Sequence, residues 1–387
     1  MEQTDIIYFD NAATSFPKPD RVLREIRETM ILCGGNAGRG AHKLSMAAAR
    51  KIYDCRALAA ESFGANDPER VVFTMNTTYA LNIVIKGMLD FGDRAVISDL
   101  EHNAVYRPIC ALARERDVKF DIFDTGTLKG LSDEEMCGGI RGLIKKDTKM
   151  LICTCASNIC SRVLPIEKIG RLCRENGIIF VVDAAQGAGH MDIDMKRMNI
   201  DALCMPSHKG LYGPQGCGMI IFGDQVDCKT LIEGGNGYDS LNVGMGDLLP
   251  EKFEAGTLPA PIIAGLCAGM KSVKERGIDH ICDNEARLYR RAREMLENTD
   301  GVTLCVPQHV GAVLSFNIDG IGSERVAALL DRQGICVRGG YHCAALAHKA
   351  LGTDRSGAVR ISFGMYNKLA ETERLWRAVK KIIAGDL

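Results

Sequence analysis

The sequence has 387 residues and an ordinary globular composition, with 46% hydrophobic and 25% charged residues. Lysine and arginine total 48 against 49 aspartate and glutamate residues, so the formal net charge is -1 at pH 7. A balanced surface attracts neither nucleic acid nor an anionic membrane, and we expect neither as a partner. The length is sufficient for two domains.

The N-terminal sequence MEQTDIIYFD is acidic and lacks the basic and apolar regions of a signal peptide. No apolar run in the sequence reaches the length of a membrane span. The 16 cysteines are scattered along the chain rather than spaced as a disulfide framework, which is typical of reduced thiols. We therefore predict a cytoplasmic protein.

Three closely spaced cysteines, Cys153, Cys155 and Cys160, raise the question of a zinc or iron site. Residues 149–155 read as a buried strand, which would place Cys153 and Cys155 on one face of a sheet. Structural zinc sites instead use turn spacings and a second ligand pair. We predict no metal.

Predicted secondary structure begins with a short strand at residues 6–9. It leads into Asp10–Thr14, where small residues let a ligand approach the backbone closely. A helix from Asp20 and a long amphipathic helix over residues 45–63 follow. The glycine-rich segment 34–45 between them is too flexible to form a core.

A predicted strand over residues 71–74 is followed by Thr77 and Thr78 and then by an apolar helix. Such a turn from strand to helix offers unpaired N–H groups and hydroxyls to a phosphate. The two threonines could also be simple helix caps, which is the commoner role of threonine at such a turn.

Between residues 94 and 182 predicted strands alternate with helices. The strands cover residues 94–98, 119–123, 149–155 and 178–182, and the helices cover 132–144 and 165–175. This alternation predicts the α/β class with a mostly parallel sheet. His102 follows the first of these strands, where an imidazole can stack on a flat ring and move protons near neutral pH, or can cap the next helix.

Asp183 ends an apolar run, Ile178–Val182, at the carboxyl end of a predicted strand, where α/β sheets bind ligands. A carboxylate buried there needs a cationic partner. Lys209 follows a second apolar run, Ala202–Met205, in a turn that can bring its amine back over the sheet edge. Taken singly, each is more often a turn or loop residue. Together they fit pyridoxal phosphate chemistry, in which a lysine forms a Schiff base and a carboxylate keeps the ring nitrogen protonated.

Two residues near the C-terminus suit substrate chemistry. Cys343 follows Arg338 and two glycines, a flexible and electropositive neighbourhood of the kind that favours a thiolate. Arg360 lies in a strand-like run, and its planar fork of donors suits a carboxylate, although a lone arginine is commonly a surface ion pair.

The chain resembles the class V aminotransferase group of fold-type I pyridoxal-phosphate enzymes, specifically the cysteine desulfurases and selenocysteine lyases. The motifs that carry the resemblance are FDNAAT (9–14), EH (101–102), CASN (155–158), SHK (207–209), FEAGT (253–257) and RISFGMYN (360–367). The resemblance implies a large cofactor-binding domain over 19–261 with a mostly parallel sheet flanked by helices. It also implies a small α+β domain over 262–387, against which residues 1–18 pack and which carries the cysteine loop.

The same resemblance implies the roles of the candidate site residues. His102 would stack on the cofactor ring, and Arg360 would clamp the substrate carboxylate with help from Asn11 and Ala13. Gly256 and Thr257 would reach the phosphate of a partner subunit, which implies a homodimer. The cofactor-binding set is Lys209, Asp183, Gln186, His102, Thr77, Thr78, Asn158, Ser207, His208, Gly256 and Thr257.

The cysteine motif resembles RxGHHCA of the SufS-like, group II desulfurases, with Tyr341 in place of the first histidine. The segment with Arg39 and His42 resembles the family's HRG-x-H loop but lacks its first histidine. Both substitutions depart from the family pattern.

The implied reaction converts L-cysteine to L-alanine: Lys209 moves the α-proton, His102 serves as acid and base, and the Cys343 thiolate takes the sulfur as a persulfide. A protein sulfur acceptor is an expected partner. Selenocysteine lyase uses the same residues, so L-selenocysteine is an alternative substrate. A class V reaction without persulfide and a non-catalytic protein that keeps the fold are also compatible with the sequence.

Overall fold

The computed structural model describes residues 6–38, 40–224, 227–305 and 308–386. Strands within these residues are β1 (Ile7–Tyr8), β2 (Val71–Thr74), β3 (Arg94–Ser98), β4 (Lys119–Phe123), β5 (Thr148–Thr154), β6 (Ile179–Asp183), β7 (Ala202–Pro206), β8 (Gly218–Phe222), β9 (Val302–Cys305), β10 (Val313–Ile318), β11 (Ile335–Cys336), β12 (Arg338–Gly340) and β13 (Ala358–Ser362). They form three sheets.

The largest sheet has seven strands within the described residues, in the order β2-β8-β7-β6-β5-β3-β4. Neighbouring strands from β7 to β4 pair in parallel, whereas β8 is antiparallel to both β2 and β7. The central strands β6 and β7 are largely buried and almost entirely apolar, because both faces of a parallel sheet are covered. The α/β class with a mostly parallel sheet is thereby confirmed.

Helices in the described part of the chain are α1 (Asp20–Leu32), α2 (Lys43–Ser62), α3 (Thr77–Met88), α4 (Asn103–Glu115), α5 (Asp133–Leu143), α6 (Ile166–Glu175), α7 (Ala260–Arg276), α8 (Ile278–Glu297), α9 (Ser323–Asp331), α10 (Ala345–Ala350) and α11 (Leu369–Ala384). Side-chain caps fix where some of these helices begin. Ser132 and Glu135 form a reciprocal capping box at the start of α5. Residue Asn76 caps α3, accepting the N–H of Tyr79 on its side chain.

A second sheet has four antiparallel strands in the order β12-β13-β10-β9. Its core contains Phe316 and Phe363, both essentially unexposed, and extends to Ile7 and Phe9 at the other end of the chain. The N-terminal strand β1 pairs in parallel with β11. Residues from both ends of the chain therefore share one hydrophobic core.

The division into a large and a small domain stays a proposal. The predicted boundary at 261/262 falls inside α7, whose buried residues Ile263, Leu266 and Met270 belong to the core around the large sheet. Packing therefore favours a boundary nearer Gly277, where α7 ends and α8 begins.

A buried ion pair anchors the segment that precedes α7. Arg56 on α2 contacts Glu254 at 2.5 Å, and the other carboxylate oxygen of Glu254 accepts the N–H of Phe73 at 2.7 Å. Both side chains are less than a tenth exposed. Because a buried charge is costly without its partner, this pair fixes the course of the chain up to Glu254.

None of the described helices is both long and apolar enough to cross a membrane. The described residues likewise contain no group of three or more histidine, cysteine, aspartate or glutamate side chains placed to hold a metal ion. Cys153, Cys155 and Cys160 are fully buried, and burial raises the pKa of each thiol. They are small core side chains.

Candidate active site

A cavity of about 310 Å³ lies at the carboxyl ends of the parallel strands. Thr154 and Asp183, the last residues of β5 and β6, line it together with Pro206 at the end of β7. Its remaining lining residues are Ala12, Ala13, Asn76, Thr77, Thr78, Leu100, His102, Ala104, Asn158, Ala185, Gln186, His208, Lys209, Arg338, His342 and Arg360. Most of the residues predicted from the sequence therefore meet in one place.

Asp183 and Lys209 both line this cavity, as the sequence predicts. Asp183 is 2% exposed, and its Oδ1 accepts the N–H of Ala185 at 2.9 Å. Burial raises the pKa of the Asp183 carboxyl, while the Ala185 N–H and Lys209 act in the opposite direction. A cation bound beside this carboxylate would relieve the cost of burying its charge.

The Lys209 amine is easier to deprotonate than an ordinary lysine. Its pKa is lowered to about 8, chiefly by burial; Asp183 opposes this shift, and the charges of Arg360 and Arg338 add to it. A substantial fraction of the amine is therefore neutral near physiological pH, which is the form that attacks a carbonyl or accepts a proton.

His102 both lines the cavity and caps α4, and its stacking on a cofactor ring stays a prediction. Its Nδ1 accepts the N–H of Ala104 at 3.0 Å. Burial lowers the pKa of His102 to about 4, and the positive charges of Lys209, Arg338 and Arg360 act in the same direction. The ring is neutral at pH 7, and because Nδ1 is an acceptor the proton is on Nε2.

Three polar side-chain atoms at or next to the cavity have no hydrogen-bond partner within the described residues. Thr77 Oγ1 and His208 Nδ1 belong to lining residues, whereas Ser207, which precedes His208 and carries the third atom, Oγ, does not line the cavity. Thr77 is the first residue of α3, where helix N–H groups also point outward. Hydroxyls and free N–H groups at a helix N-terminus suit an anion such as a phosphate.

Arg360 is almost completely buried on β13 and borders the cavity. Its Nη2 forms an ion pair with Asp10 at 2.6 Å, and its Nη1 donates to the carbonyl of Asn158 at 3.2 Å. Its Nε has no partner within the described residues. The guanidinium is thus already oriented and keeps one donor available.

Cys343 lies at the rim rather than in the lining of the cavity. Its side chain is exposed, and Arg338 Nη2 lies 3.6 Å from its Sγ. Arg338 borders the cavity, and so does His342, the residue before the cysteine. The thiol is therefore adjacent to the cavity and open to solvent at the same time.

Four other predicted residues also line the cavity, and two of them are fixed by hydrogen bonds to backbone carbonyls. Gln186 Nε2 donates to the carbonyl of Ala12 at 3.1 Å, and Asn158 Nδ2 donates to the carbonyl of His342 at 3.0 Å. Ala13 and Thr78 line the wall. Asn158 thereby connects the cavity to the loop that carries Cys343.

Asn11 does not line this cavity, and its amide group is used for structure. Its Nδ2 donates to the carbonyl of Ser362 at 3.0 Å and to Asn367 Oδ1 at 3.1 Å, while its Oδ1 accepts the N–H of Phe16. These bonds join the N-terminal segment to the small sheet. Asn11 lines a neighbouring cavity of about 260 Å³ that also includes Gln186 and Lys209, and its contact with the substrate stays a prediction.

Gly256 and Thr257 also lie away from this cavity within the single chain. Thr257 is exposed and accepts a hydrogen bond from Asn36, and Gly256 borders a different cavity next to Arg56. Their predicted contact with a partner subunit remains a prediction. Arg39 lies outside the described residues.

Two carboxyl groups at the site were not predicted from the sequence. Asp10 was noted only as part of its motif, although it is the ion-pair partner of Arg360. Glu101 is completely buried, and its Oε1 accepts the N–H of Thr154 at 2.8 Å; burial raises its pKa to about 8. A buried arginine in a predicted strand is the signal that a carboxylate partner had to exist.

The fold and this cavity define an α/β enzyme that presents a reactive amine and a buried carboxylate at the carboxyl edge of its sheet. The profile of the family described as Aminotransferase class-V matches residues 7–375. The chain belongs to the class V aminotransferase family.

Two relatives described as probable cysteine desulfurases match almost the whole chain. The protein from Pyrococcus abyssi is 34% identical over 394 residues, which cover 98% of this chain and 94% of the relative. The protein from Methanothermobacter thermautotrophicus is 34% identical over 398 residues, covering 98% and 95%.

A solved structure is similar to this chain in both fold and sequence. The apo structure of a cysteine desulfurase from Thermococcus onnurineus superposes with a TM-score of 0.89 at 32% identity, covering 99% of this chain and 96% of that chain. The overall fold class predicted from the sequence is thereby confirmed.

Proposed function

We propose that this protein is a pyridoxal 5'-phosphate-dependent cysteine desulfurase, which converts L-cysteine to L-alanine and holds the sulfur as a persulfide on Cys343. The observation that carries the proposal is the cavity in which Lys209 and Asp183 converge, with the exposed Cys343 thiol at its rim beside Arg338. The family and the relatives described as probable cysteine desulfurases support the same activity.

The residues present fit pyridoxal phosphate. Thr77 and Ser207 have buried hydroxyls without a partner in the described chain, and His208 has a buried ring nitrogen without one, which are polar groups that a phosphate could engage. Asp183 supplies a carboxylate for a protonated ring nitrogen, and Lys209 supplies an amine for the aldehyde. When bound, the cofactor would act as the electron sink that stabilises negative charge at the substrate α-carbon.

The chain's own residues would bind and activate the substrate. Arg360 would hold the substrate carboxylate with its planar donors. Lys209, neutral in part near pH 8, would take the α-proton and return it. His102 is neutral and would donate from Nε2 or accept a proton near the substrate thiol.

Sulfur transfer requires the Cys343 thiolate to attack the substrate sulfur. An S–S bond forms as the substrate C–S bond breaks, and the bonding electron pair stays on carbon, which is then protonated to give alanine. The persulfide at the exposed rim would be available to a protein sulfur acceptor. The sequence of bond changes needs no outside oxidant or reductant.

We also propose that the enzyme is a homodimer in which Gly256 and Thr257 approach the partner's cofactor site. Support comes from apolar side chains close to this segment in sequence that have no cover in one chain. Leu241 and Val243 are 97% and 106% exposed, and Leu248 is also exposed. Such a surface is typical of a protein interface.

The direct test of the proposed function combines an absorbance spectrum, an assay for alanine and the mass of the peptide that contains Cys343. Purified protein with pyridoxal phosphate should show a visible absorbance band and form alanine from L-cysteine, and brief exposure should add one sulfur to the peptide holding Cys343. Formation of pyruvate without persulfide would instead show a β-elimination. Parallel kinetics with L-selenocysteine decide which of the two substrates is preferred.

The low pKa of Lys209 predicts how the cofactor-free protein binds its cofactor. Only a neutral amine attacks an aldehyde, so the rate should rise from pH 7 and level off above about 8, where Lys209 is mostly deprotonated. A lysine with its ordinary pKa of 10.5 would keep accelerating beyond pH 9. Stopped-flow absorbance with pyridoxal phosphate measures this, with N-acetyl-lysine as the control. A rate still climbing at pH 10 would contradict the prediction.

Arg360→Lys should raise the KM for L-cysteine by about tenfold or more, because a lysine amine cannot contact Asp10 and Asn158 and also present a planar donor in the place of Nε. Lysine keeps a positive charge beside Asp10, so this partly buried carboxylate is not left unpaired. Arg338→Lys is the matched control at the same cavity. Steady-state kinetics decide between them: if KM rises only in the Arg338 variant, Arg338 is the clamp.

A further inference from the structure

A continuous chain of hydrogen bonds lies directly beneath the loop that carries Cys343. The rings of His342 and His348 are buried and nearly coplanar, with centroids 5.4 Å apart and planes inclined by 17°. His342 Nδ1 lies 3.2 Å from His348 Nε2. The outer ends of the chain are the Arg338 carbonyl, 3.1 Å from His342 Nε2, and Thr353 Oγ1, 2.7 Å from His348 Nδ1.

The carbonyl at one end fixes the direction of every bond in this chain. A carbonyl only accepts, so His342 Nε2 carries the proton and donates to Arg338. Nδ1 of the neutral His342 ring is then an acceptor, and His348 must donate to it from Nε2. His348 Nδ1 is left as an acceptor for the hydroxyl of Thr353. Each ring therefore has a single tautomer.

Both rings stay neutral at the pH where the enzyme works. Burial lowers the pKa of His342 to about 3, and the charges of Arg360 and Arg338 act in the same direction. Burial also lowers the pKa of His348, opposed by Asp354. A second proton on His342 would place two N–H groups against each other unless His348 changed its tautomer, so the geometry also favours the neutral state.

The loop above these rings is held in an unusual backbone conformation. His342 and Cys343 both have positive φ angles, 51° and 54°, which residues other than glycine rarely adopt. The His342 carbonyl accepts from Asn158, and the Cys343 carbonyl accepts the N–H of Asn103 at 2.8 Å. Such a conformation persists only when its surroundings hold it, and the His342 ring is the side chain that anchors it from below.

We propose that His348 is a positioning residue for the nucleophile: by donating to His342 it locks the Cys343 loop in the conformation that presents the thiol beside Arg338. The inference rests on the proposed function in that it treats Cys343 as the sulfur acceptor. Nothing in the short sequence motif around the cysteine includes His348, which follows five residues later on α10.

The matched variants are His348→Phe and His348→Gln. Phenylalanine keeps a flat ring beside His342 but removes the donor, whereas glutamine keeps an N–H donor near the position of Nε2. Loss of one buried hydrogen bond at the loop should lower kcat by roughly tenfold in the phenylalanine variant, with the KM for cysteine little changed. Glutamine should restore most of the rate. Absorbance of bound cofactor and the thermal midpoint of each variant show whether the fold is kept.

A second readout does not depend on turnover. Alkylation of Cys343 by iodoacetamide in the holoenzyme, followed by the mass of its peptide, should slow several-fold in His348→Phe, because the Arg338 guanidinium can no longer offset the negative charge of the thiolate. Thr353→Val, which removes only the outermost donor, should give a smaller change in the same direction.

The results separate the inference from the function on which it rests. Unchanged alkylation and kcat in a folded His348→Phe protein would overturn the positioning role, and so would an equal loss in His348→Gln. If alkylation responds as expected but the wild-type protein forms no alanine from cysteine, the positioning inference stands and the desulfurase proposal fails.

Discussion

Changing Cys343 to serine should abolish alanine formation from L-cysteine, with a loss of at least about a thousandfold in kcat, because no other residue replaces a lost nucleophile. The thiol is exposed and lies outside the lining of the cavity. The variant should therefore fold normally and keep the absorbance of bound cofactor. Coupled alanine detection and peptide masses after brief cysteine exposure measure both parts of the expectation.

Cys110→Ser is the matched control, since Cys110 is also partly accessible but lies on α4 away from the cysteine loop. It should retain wild-type activity. L-Selenocysteine needs less nucleophilic help, because selenium leaves more readily, and Cys343→Ser should keep more activity on it than on cysteine. A Cys343→Ser protein that desulfurates cysteine at the wild-type rate, or a persulfide on another cysteine, would refute the assignment.

Lys209→Ala should lose activity completely, because the amine is expected both to bond the cofactor aldehyde and to move the α-proton. Lys209→Arg is the informative companion variant. Arginine keeps a positive charge near Asp183, so the electrostatic balance of the cavity survives, but it offers no nucleophilic amine at neutral pH. In both variants activity should fall by about four orders of magnitude or more.

The measurement for these lysine variants is the visible spectrum together with alanine production. The band of covalently held cofactor should disappear in both proteins, and added cofactor should wash out on dialysis. Retention of appreciable activity by Lys209→Arg would mean that the charge, not the nucleophile, is what the site needs, and another amine would have to be sought.

Strand order explains why so much of the site was predictable from the sequence. Asp183 and the turn holding Lys209 follow strands that are neighbours in a parallel sheet, and Thr77 begins the helix after β2. Residues after such strands must meet at one edge whatever the rest of the chain does. The apolar runs therefore indicated that the amine and the carboxylate lie at one edge of the sheet, whereas the place of Thr77 beside them followed from the family resemblance, because the pairing of β2 with β8 was not predicted.

Contacts between distant parts of the chain could not be predicted from the sequence. The amide of Asn11 donates to a carbonyl 351 residues away in sequence. The partner of Arg360 lies 350 residues away. Neither periodicity nor propensity carries such information, since both describe only neighbours along the chain.

The pairing of His342 with His348 was missed for a different reason. The two residues are close in sequence, but a histidine in a short helix gives no periodic signal that distinguishes a buried donor from a solvated side chain. Tyr341, which departs from the family's cysteine motif, is exposed and packs edge-on against His348. The buried hydrogen-bonding role lies further along the chain, on α10.

The sharing of one core by distant parts of the chain has a consequence for biosynthesis. Asp10 and Ala12 leave the ribosome long before their partners Arg360 and Ser362, which follow 350 residues later in each pair. The N-terminal segment can bond to Gln186 and His208 as soon as the large sheet is complete, but its partners in the small sheet have not yet been made. The wall of the cavity that contains Ala12 and Arg360 therefore closes only once β13 has been synthesised.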